Sequence, residues 1–398
     1  MSETREDVVI VGGGVSGLSL AMHLARTGRR RVRVLEKRTR YVEDRTFSAF
    51  HTGETHLFSD CVAHRWERWR VRDGARVMEH HAPARAYETI FSEPIYRKAQ
   101  RALEAGPNAR LDLGVGVRAI VPRGEATEVV LEDGTSLLAR DVVDTRPAAL
   151  VETPETPRFW QHFEGWFVKT ERPFFSTDVA TLMDFRPYRD GVHFLYVLPF
   201  SETEALVEDT YFDQRRRGAY VSTLERELAS AGPYAITRKE AGCLPMSTGK
   251  PASAPPGVAR LGLGGAAAKP STGYAFVFIQ RQAKAMADEL DAGRRPRTQP
   301  PRTPWTTTLD DVFLSYLRRH PERGPALFLR MFERNAADVV ARFLMERTTP
   351  AEDVALMLTM PIPKLGVESA RAPLRWARGY GRRALQRATS SKDHAPLR

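Results

Sequence analysis

The sequence predicts an α/β fold: a parallel-sheet unit with helices, a mostly antiparallel sheet inserted into it, and a helical C-terminal part. Three observations lead there. A strand–glycine–helix segment opens the chain between Asp7 and Arg26. Segments rich in aromatic and β-branched residues follow one another between Phe159 and Phe212. Apolar residues then recur at helical spacing from Leu309 to Met360.

The first element decides the class. Asp7 to Val11 reads as a buried strand, followed by Gly12-x-Gly14-x-x-Gly17 and a helix from Leu18 to Arg26. That spacing is a dinucleotide fingerprint when a strand precedes it and a helix follows. Gly12 permits the tight turn, Gly14 lets the backbone approach a pyrophosphate, and Gly17 lets the helix pack on the strand. Val15 and Ser16 open the helix, whose N-terminal N–H groups and dipole favour phosphate. A second strand, Arg31–Leu35, ends in Glu36 and Lys37, and Glu36 lies 24 positions after Gly12, where a ribose diol is held. A Rossmann-type site for a flavin or nicotinamide dinucleotide is expected.

The remaining elements follow in order. Tyr41 to His64 is irregular and aromatic, Trp66, Trp69 and Val71 suggest a strand, and Ser92 to Leu103 reads as a helix. Arg110 to Ile120 looks like one strand, and Glu128–Leu131 with Asp133-Gly134 like a hairpin. Asp141 to Asp144 is a short apolar run ending in an acid, as expected of a parallel strand near a cofactor. Gly165–Thr170, Ala180–Phe185, His193–Pro199 and Glu204–Tyr211 form the antiparallel sheet. Trp166, Phe167, Phe194, Tyr196 and Phe200 are candidates for the wall of an apolar pocket. Arg260–Leu263 is a further strand, leading through Gly264-Gly265 and Pro270–Tyr274 into a helix from Phe276 to Leu290. Residues 292–308 read as a linker. The expected division is 1–150 with 255–292 for the cofactor and 151–254 for the substrate, with contributions from about 60–100. Residues 305–365 form the helical part and 366–398 a basic tail.

Composition narrows the class of partner. With 398 residues, 42% hydrophobic and 27% charged, the chain is that of a globular protein. No apolar run approaches the roughly 18–20 residues that span a bilayer, and the start lacks a signal-peptide pattern. Cys61 and Cys243 stand far apart without metal-type spacing, so a reducing, cytoplasmic setting without metal is expected. The formal charge is +11, and residues 371–398 carry eight basic residues against Asp393 alone, interleaved with Leu374, Trp376, Tyr380 and Leu385. Nucleic acid, an anionic membrane surface or a simple solvated tail would each suit that segment.

Several segments together resemble the FAD-dependent lycopene cyclases. Asp44-Arg45-Thr46-Phe47-Ser48-Ala49-Phe50-His51 is similar to the family's TWSFH stretch, with Phe in place of Trp. Phe91-Ser92 to Ala99 is similar to its helix after a serine. Leu206-Val207-Glu208-Asp209-Thr210-Tyr211 resembles its acidic EDT motif, and Lys269-Pro270-Ser271-Thr272-Gly273-Tyr274 its HPTTGYS, with Lys in place of His. The resemblance covers roughly residues 6–365. It implies a fold like that of p-hydroxybenzoate hydroxylase relatives, with FAD in the first domain and NAD(P)H as reductant. It also implies a peripheral membrane enzyme that takes lycopene or a related polyene and no nucleic acid. The implied reaction has no net redox change. A linear ψ-end group is protonated, a double bond attacks the tertiary cation, and a proton is lost to leave a ring.

The residues can support such chemistry. Glu208 and Asp209 follow the apolar run Ala205-Leu206-Val207 and, in a strand, point to opposite faces. A carboxyl facing an apolar cavity keeps its proton and can serve as an acid. The resemblance assigns Glu208 as the acid and Asp209 as a supporting or alternative one. Trp160, Trp166, Phe194 and Tyr196 are candidates to face a cation. For the cofactor, Arg45 suits a phosphate, Asp144 ends the strand that approaches the nucleotide, and Thr272, Gly273 and Tyr274 are expected beside the flavin ring. Gly265 stands where many related flavoproteins carry an acid, leaving backbone groups for that contact. The competing reading is an FAD-dependent monooxygenase or reductase acting on an isoprenoid or other polyene.

Overall fold

The computed structural model describes residues 6–216 and 223–360. The chain begins with β1 (Glu6–Val11), α1 (Val15–Thr27), β2 (Val32–Glu36), β3 (Thr46–Phe50), β4 (Val62–Trp66), β5 (Arg68–Asp73), β6 (Arg76–His81), β7 (Tyr87–Phe91) and α2 (Ser92–Ala105). It continues with β8 (Ala109–Leu113), β9 (Val117–Arg123), β10 (Ala126–Leu131), β11 (Ser136–Asp144), β12 (Arg158–Thr170), β13 (Val179–Arg186), β14 (Gly191–Pro199), β15 (Glu204–Asp213) and α3 (Leu224–Glu227). The last elements are β16 (Tyr234–Ser247), β17 (Val258–Arg260), α4 (Phe276–Asp291), α5 (Pro304–Arg319), α6 (Gly324–Arg334), α7 (Ala337–Leu344) and α8 (Pro350–Leu358).

Three sheets organise these elements. The first has the order β8-β2-β1-β11-β10-β9, with β17 also paired to β11. Its strands β8, β2, β1, β11 and β17 run parallel, so their carboxyl ends share one edge, where α/β folds bind nucleotides. Helices α1, α2 and α4 cover one face through Leu18, Leu24, Ile95, Phe278 and Ile279. The second sheet has the order β16-β12-β15-β14-β13-β5-β6 and is antiparallel except where β5 meets β13. One face packs through Phe194, Phe212 and Leu206 against Phe328, Met331 and Leu344 of the C-terminal helices. The third sheet, β3-β7-β4, stands between these two units.

The structure corrects four readings. Arg110–Ile120 is two strands, β8 and β9, at opposite ends of the first sheet, because the chain turns at Gly114 with φ +76°. Trp66 to Val71 likewise divides between β4 and β5, which belong to different sheets. The strand expected at Arg260–Leu263 ends at Arg260, and Gly262 turns the chain with φ +74°. The linker assigned to 292–308 is shorter, since α5 starts at Pro304. Thr303 caps it by accepting a hydrogen bond from the Thr306 N–H, and Pro304 suits a first helical turn. The basic tail lies outside the described residues.

Among the described residues no helix is long and apolar enough to cross a membrane, and no group of His, Cys, Asp and Glu could hold a metal ion.

Candidate functional site

At the edge of the first sheet, β1 hands the chain to α1 through three glycines with different surroundings. Gly12 adopts φ +101°, which a residue with a side chain resists. A Cβ on Gly17 would lie 2.0 Å from the Gly12 carbonyl oxygen, so only glycine lets α1 approach β1. A Cβ on Gly14 would meet nothing within 4 Å. That open space lies at the N-terminus of α1, which no side chain caps, so its N–H groups and dipole face it. Val15 and Ser16 form the first turn. An empty cradle at an uncapped helix end fits a dinucleotide pyrophosphate.

Glu36 ends β2 beside this loop. Its Oε2 accepts the Gly13 N–H at 2.6 Å, and its Oε1 accepts the Arg38 N–H at 2.8 Å and Arg38 Nε at 3.1 Å. Burial would raise its pKa, but the Arg38 and Gly13 hydrogen bonds bring it below the ordinary value. Arg38, which the sequence reading passed over, lies against the rings of Tyr41 and Tyr96 and also reaches Asp44 at 3.1 Å. Arg38 Nη2 also reaches Glu36 Oε2 at 3.3 Å, so the four acceptor positions of the carboxylate are taken and a ribose hydroxyl would displace one of these donors.

Other expected cofactor residues are less free. Lys37 turns its ammonium to Glu132 at 2.9 Å, with the side chain 75% exposed, so only its backbone stays beside Glu36. Asp144 ends β11 opposite Val11, but Arg146 holds both its oxygens, at 2.9 and 3.0 Å. Gly265 is braced by Gln282, whose Nε2 donates to the Gly265 carbonyl at 3.0 Å. Arg45 enters β3, its backbone N–H bonded to Ser92 Oγ at 3.1 Å and its guanidinium to the Asp44 carbonyl at 2.8 Å.

The inward face of the second sheet meets β3 and the 272–274 turn around a cavity of about 200 Å³. Alternation decides which side chains reach it. Phe163 of β12, Phe194 and Tyr196 of β14, and Leu206, Glu208 and Phe212 of β15 line it. Phe328, Met331, Phe332 and Leu344 close it from the helical side, and Thr272, Gly273 and Tyr274 lie at its wall. Trp160 and Trp166, expected as possible cation partners, fall on the opposite face. There Trp160 meets Arg158 and Arg216, and Trp166 meets Lys239. Phe167 and Phe200 stack on each other away from the cavity, with centroids 6.1 Å apart. β3 alternates too: Thr46 and Ser48 face the cavity, while Phe47 and Ala49 face a separate groove of about 880 Å³ beside α1 and α4.

Glu208 is one of two acids that line this cavity. Its Oε1 accepts a hydrogen bond from Thr210 Oγ1 at 2.7 Å. Burial, reinforced by the charge of Glu240, pushes its pKa up to about 8. Glu240 of β16 also lines the cavity and was not singled out from the sequence, where it sits in the unremarkable run Arg238-Lys239-Glu240. Asp209 does not reach the cavity, which corrects its expected role as supporting or alternative acid. It is fully buried on the other face, with Oδ1 2.6 Å from His193 Nε2 and Oδ2 accepting the Thr223 N–H at 2.7 Å. Burial works to raise its pKa, but these hydrogen bonds hold it below the ordinary carboxylate value.

Three tyrosines complete the wall. Tyr196 and Tyr87 hydroxyls lie 3.0 Å apart, and Tyr274 and Tyr87 hydroxyls 3.3 Å apart. Burial pushes all three well above the ordinary phenol range, so they remain neutral. Gln161 Oε1 is buried at this wall with no hydrogen-bond partner among the described residues, and a Cβ on Gly273 would lie 1.8 Å from it. An unfilled acceptor beside a glycine suits the edge of a planar ring carrying an N–H group. Lys269 is a structural counterpart to the turn: it donates to Asp310 at 2.9 Å and Glu346 at 3.1 Å, tying residues 269–274 to the C-terminal helices.

Fold and site define an α/β class in which an apolar acid-bearing cavity abuts the unit that carries the Gly12–Gly17 loop. The same fold occurs in a geranylgeranyl bacteriochlorophyll reductase-like protein from Thermoplasma acidophilum, at 13% identity and TM-score 0.58 over 92% of this chain and 99% of that one. It also occurs in PqsL, a probable FAD-dependent monooxygenase from Pseudomonas aeruginosa, at 18% identity and TM-score 0.55 over 82% of this chain and 99% of that one. Residues 7–371 match the family described as lycopene cyclase protein, and the chain belongs to that family. It is 26% identical over 305 residues to a lycopene beta-cyclase of Pantoea ananas, covering 72% of this chain and 74% of the relative. A lycopene beta-cyclase of Paracoccus is 26% identical over 276 residues, covering 61% and 66%.

Proposed function

We propose that this protein cyclises the linear ψ-end groups of lycopene or a related polyene to β-type rings, with Glu208 as the acid and reduced FAD as cofactor. The observation that carries this reading is a carboxyl group, raised to a pKa of about 8, on the wall of an aromatic cavity. An alkene is a weak base and needs a proton donor close by in a site that excludes water. Glu208 carries its proton at neutral pH, so the donor is in place when the alkene binds, and the cost of the buried carboxylate left behind is offset by attraction to the cation formed beside it.

The aromatic wall then serves the cation. Phe163, Phe194 and Phe212 offer ring faces, and neutral Tyr196 adds electron density without a nucleophilic anion. Gly12, Gly14, Val15, Ser16 and Gly17 would hold the pyrophosphate of FAD, Glu36 its ribose, and Thr272, Gly273 and Tyr274 its ring. Bound reduced flavin supplies negative charge near the cation without net electron transfer, and NAD(P)H would maintain the reduced form.

A polyene of this kind resides in lipid, so we place the enzyme at a membrane surface. An apolar side cavity lined by Leu356, Met357 and Met360 shares Thr272, Phe328, Met331 and Leu344 with the main cavity. On the outside of α8 Val354 and Leu358 are exposed by 46 and 62%, and Trp305 of α5, which donates to Asp353 at 2.8 Å, by 41%. Such a patch suits an interface with lipid.

The test is incubation with lycopene liposomes, FAD and NAD(P)H, run in parallel without oxygen and in air, followed by chromatography and mass measurement. A cyclic isomer of unchanged mass is expected. A product heavier by oxygen, or one formed with stoichiometric NAD(P)H oxidation, would instead make the protein a monooxygenase or reductase.

A further inference from the structure

Two carboxyl groups, not one, reach the cavity, and a single glycine lies between them. In the second sheet Gly165 of β12 is directly opposite Glu208 of β15 on one side and Glu240 of β16 on the other. Residues opposite one another share a face, so both acids project over Gly165. A Cβ there would lie 2.9 Å from Leu206 Cδ1, 3.2 Å from Glu240 Cγ and 3.7 Å from Glu208 Cβ. The missing side chain lets Leu206 and the stems of the two acids close over the glycine, and both acids line the cavity from its two sides. Two strand spacings separate their backbones by about 10 Å, so flexible side chains can address opposite sides of one small ring in the cavity.

The two acids are held differently. Among the described residues the donor to Glu208 is the Thr210 hydroxyl. Glu240 accepts from Thr46 Oγ1 at 2.9 Å and faces the Arg238 guanidinium at 3.5 Å, with Arg45 contributing a further positive charge. Burial raises the pKa of Glu240 as well, but Arg238, the Thr46 hydroxyl and Arg45 counter the rise, whereas on Glu208 burial and the Glu240 charge are countered by one hydroxyl. Two neighbouring carboxyls resist ionising together, so Glu240 ionises before Glu208. A pair whose environments diverge in this way divides into an acid and a base.

We propose that Glu240 is the base that takes the proton from the ring cation and so completes the cyclisation that Glu208 begins. This rests on the cyclase reading above. In the first step the Glu208 O–H bond breaks and its proton bonds to the terminal alkene, leaving a tertiary cation. The next double bond supplies the electron pair for the ring-closing C–C bond. A ring C–H bond then breaks, its electron pair forms the ring double bond, and the proton goes to the Glu240 carboxylate. No electrons are gained or lost. A proton returned from Glu240 to Glu208 through the cavity they share restores both groups. The other candidates for base are unsuited: the three tyrosines are neutral, and Asp209 lies on the opposite face.

Glu240→Gln, checked for folding by thermal melt, tests this with reduced FAD and lycopene liposomes in deuterated water. Ring formation should fall about 100-fold or more, the range lost with a general base. The recovered linear lycopene should gain deuterium, because protonation by Glu208 continues and reverses. Glu208→Gln should yield neither rings nor deuterium. Near wild-type ring formation by folded Glu240→Gln would overturn the inference, as would loss of deuterium uptake together with rings, since Glu240 would then serve proton delivery. Should the amide variant not fold, Glu240→Met carries the same test, because Arg238 keeps Glu43 as a partner at 2.9 Å. Lycopene left unchanged by wild-type protein would overturn the cyclase reading itself, whereas active wild type with an unaffected Glu240→Gln overturns only the assignment of the base.

Discussion

His193 Nε2 lies 2.6 Å from Asp209 Oδ1, on the side of β15 opposite Glu208. The imidazole also stacks on Tyr211, with centroids 3.9 Å apart. Asp209 therefore joins β14, β15 and the residue that precedes α3, and its contribution is to the fold. Asp209→Ala leaves the histidine unpaired in a buried place, which costs about 3 kcal/mol or more. A clear drop in melting temperature is expected, with cyclisation by the remaining folded protein within a few-fold of wild type. Because the folded-state pKa of Asp209 is depressed, its stabilisation is present above the ordinary carboxylate range and lost as pH falls through the lower folded value. Acid unfolding should accordingly begin at higher pH in the variant.

Gly14 and Gly17 should separate cofactor binding from folding. Gly14→Val places its side chain in open space, so the protein should fold normally and yet lose flavin absorbance. Gly17→Ala puts a methyl 2.0 Å from the Gly12 carbonyl oxygen and should lower the melting temperature even without cofactor. Normal flavin content in folded Gly14→Val would remove the pyrophosphate assignment.

The raised pKa of Glu208 gives a pH signature. Between the ordinary value of 4.5 and about 8 the folded protein holds a proton that the unfolded chain releases. Stability should decline as pH rises through that window, and the decline should be smaller in Glu208→Gln. Cyclisation should fall as pH passes about 8, where Glu208 loses the proton it must deliver. A rate that is flat from pH 6 to about pH 9 would argue against Glu208 as the acid.

Membrane docking can be probed at α5 and α8. Replacing Trp305 and Leu358 together by serine removes exposed apolar surface, and sedimentation with anionic liposomes should weaken. Deleting residues 371–398 removes eight basic residues and should weaken it further at low salt. Binding unchanged by both changes would place the docking surface elsewhere.

The sequence made local features legible where they have a local cause. The glycine spacing at Gly12–Gly17, the acid at Glu36 and the opposite facing of Glu208 and Asp209 follow from turn and strand geometry alone. Long-range register was not legible. Whether Trp166 or Phe163 faces the cavity depends on where β12 pairs with β15 and β16, and only the fold places Gly165 between Glu208 and Glu240. The same limit hid the break at Gly114 between β8 and β9, because the eleven residues 110–120, with apolar side chains at alternate positions, read alike as one strand or two. Lys37 and Asp144 stand at expected positions along the chain, but their ion pairs come from residues the motif does not specify.

The most direct measurement is cyclisation by Glu208→Gln, supplied anaerobically with fully reduced FAD and lycopene liposomes in deuterated water. The amide keeps the size of the side chain and can still accept from Thr210, but it has no proton to transfer to carbon. Flavin binding at the wild-type level, ring formation reduced at least about 100-fold, and no deuterium in recovered lycopene are expected, while wild type places deuterium in the ring. Near wild-type turnover with normal deuterium labelling by Glu208→Gln would contradict the assignment and move the proton donor to the flavin.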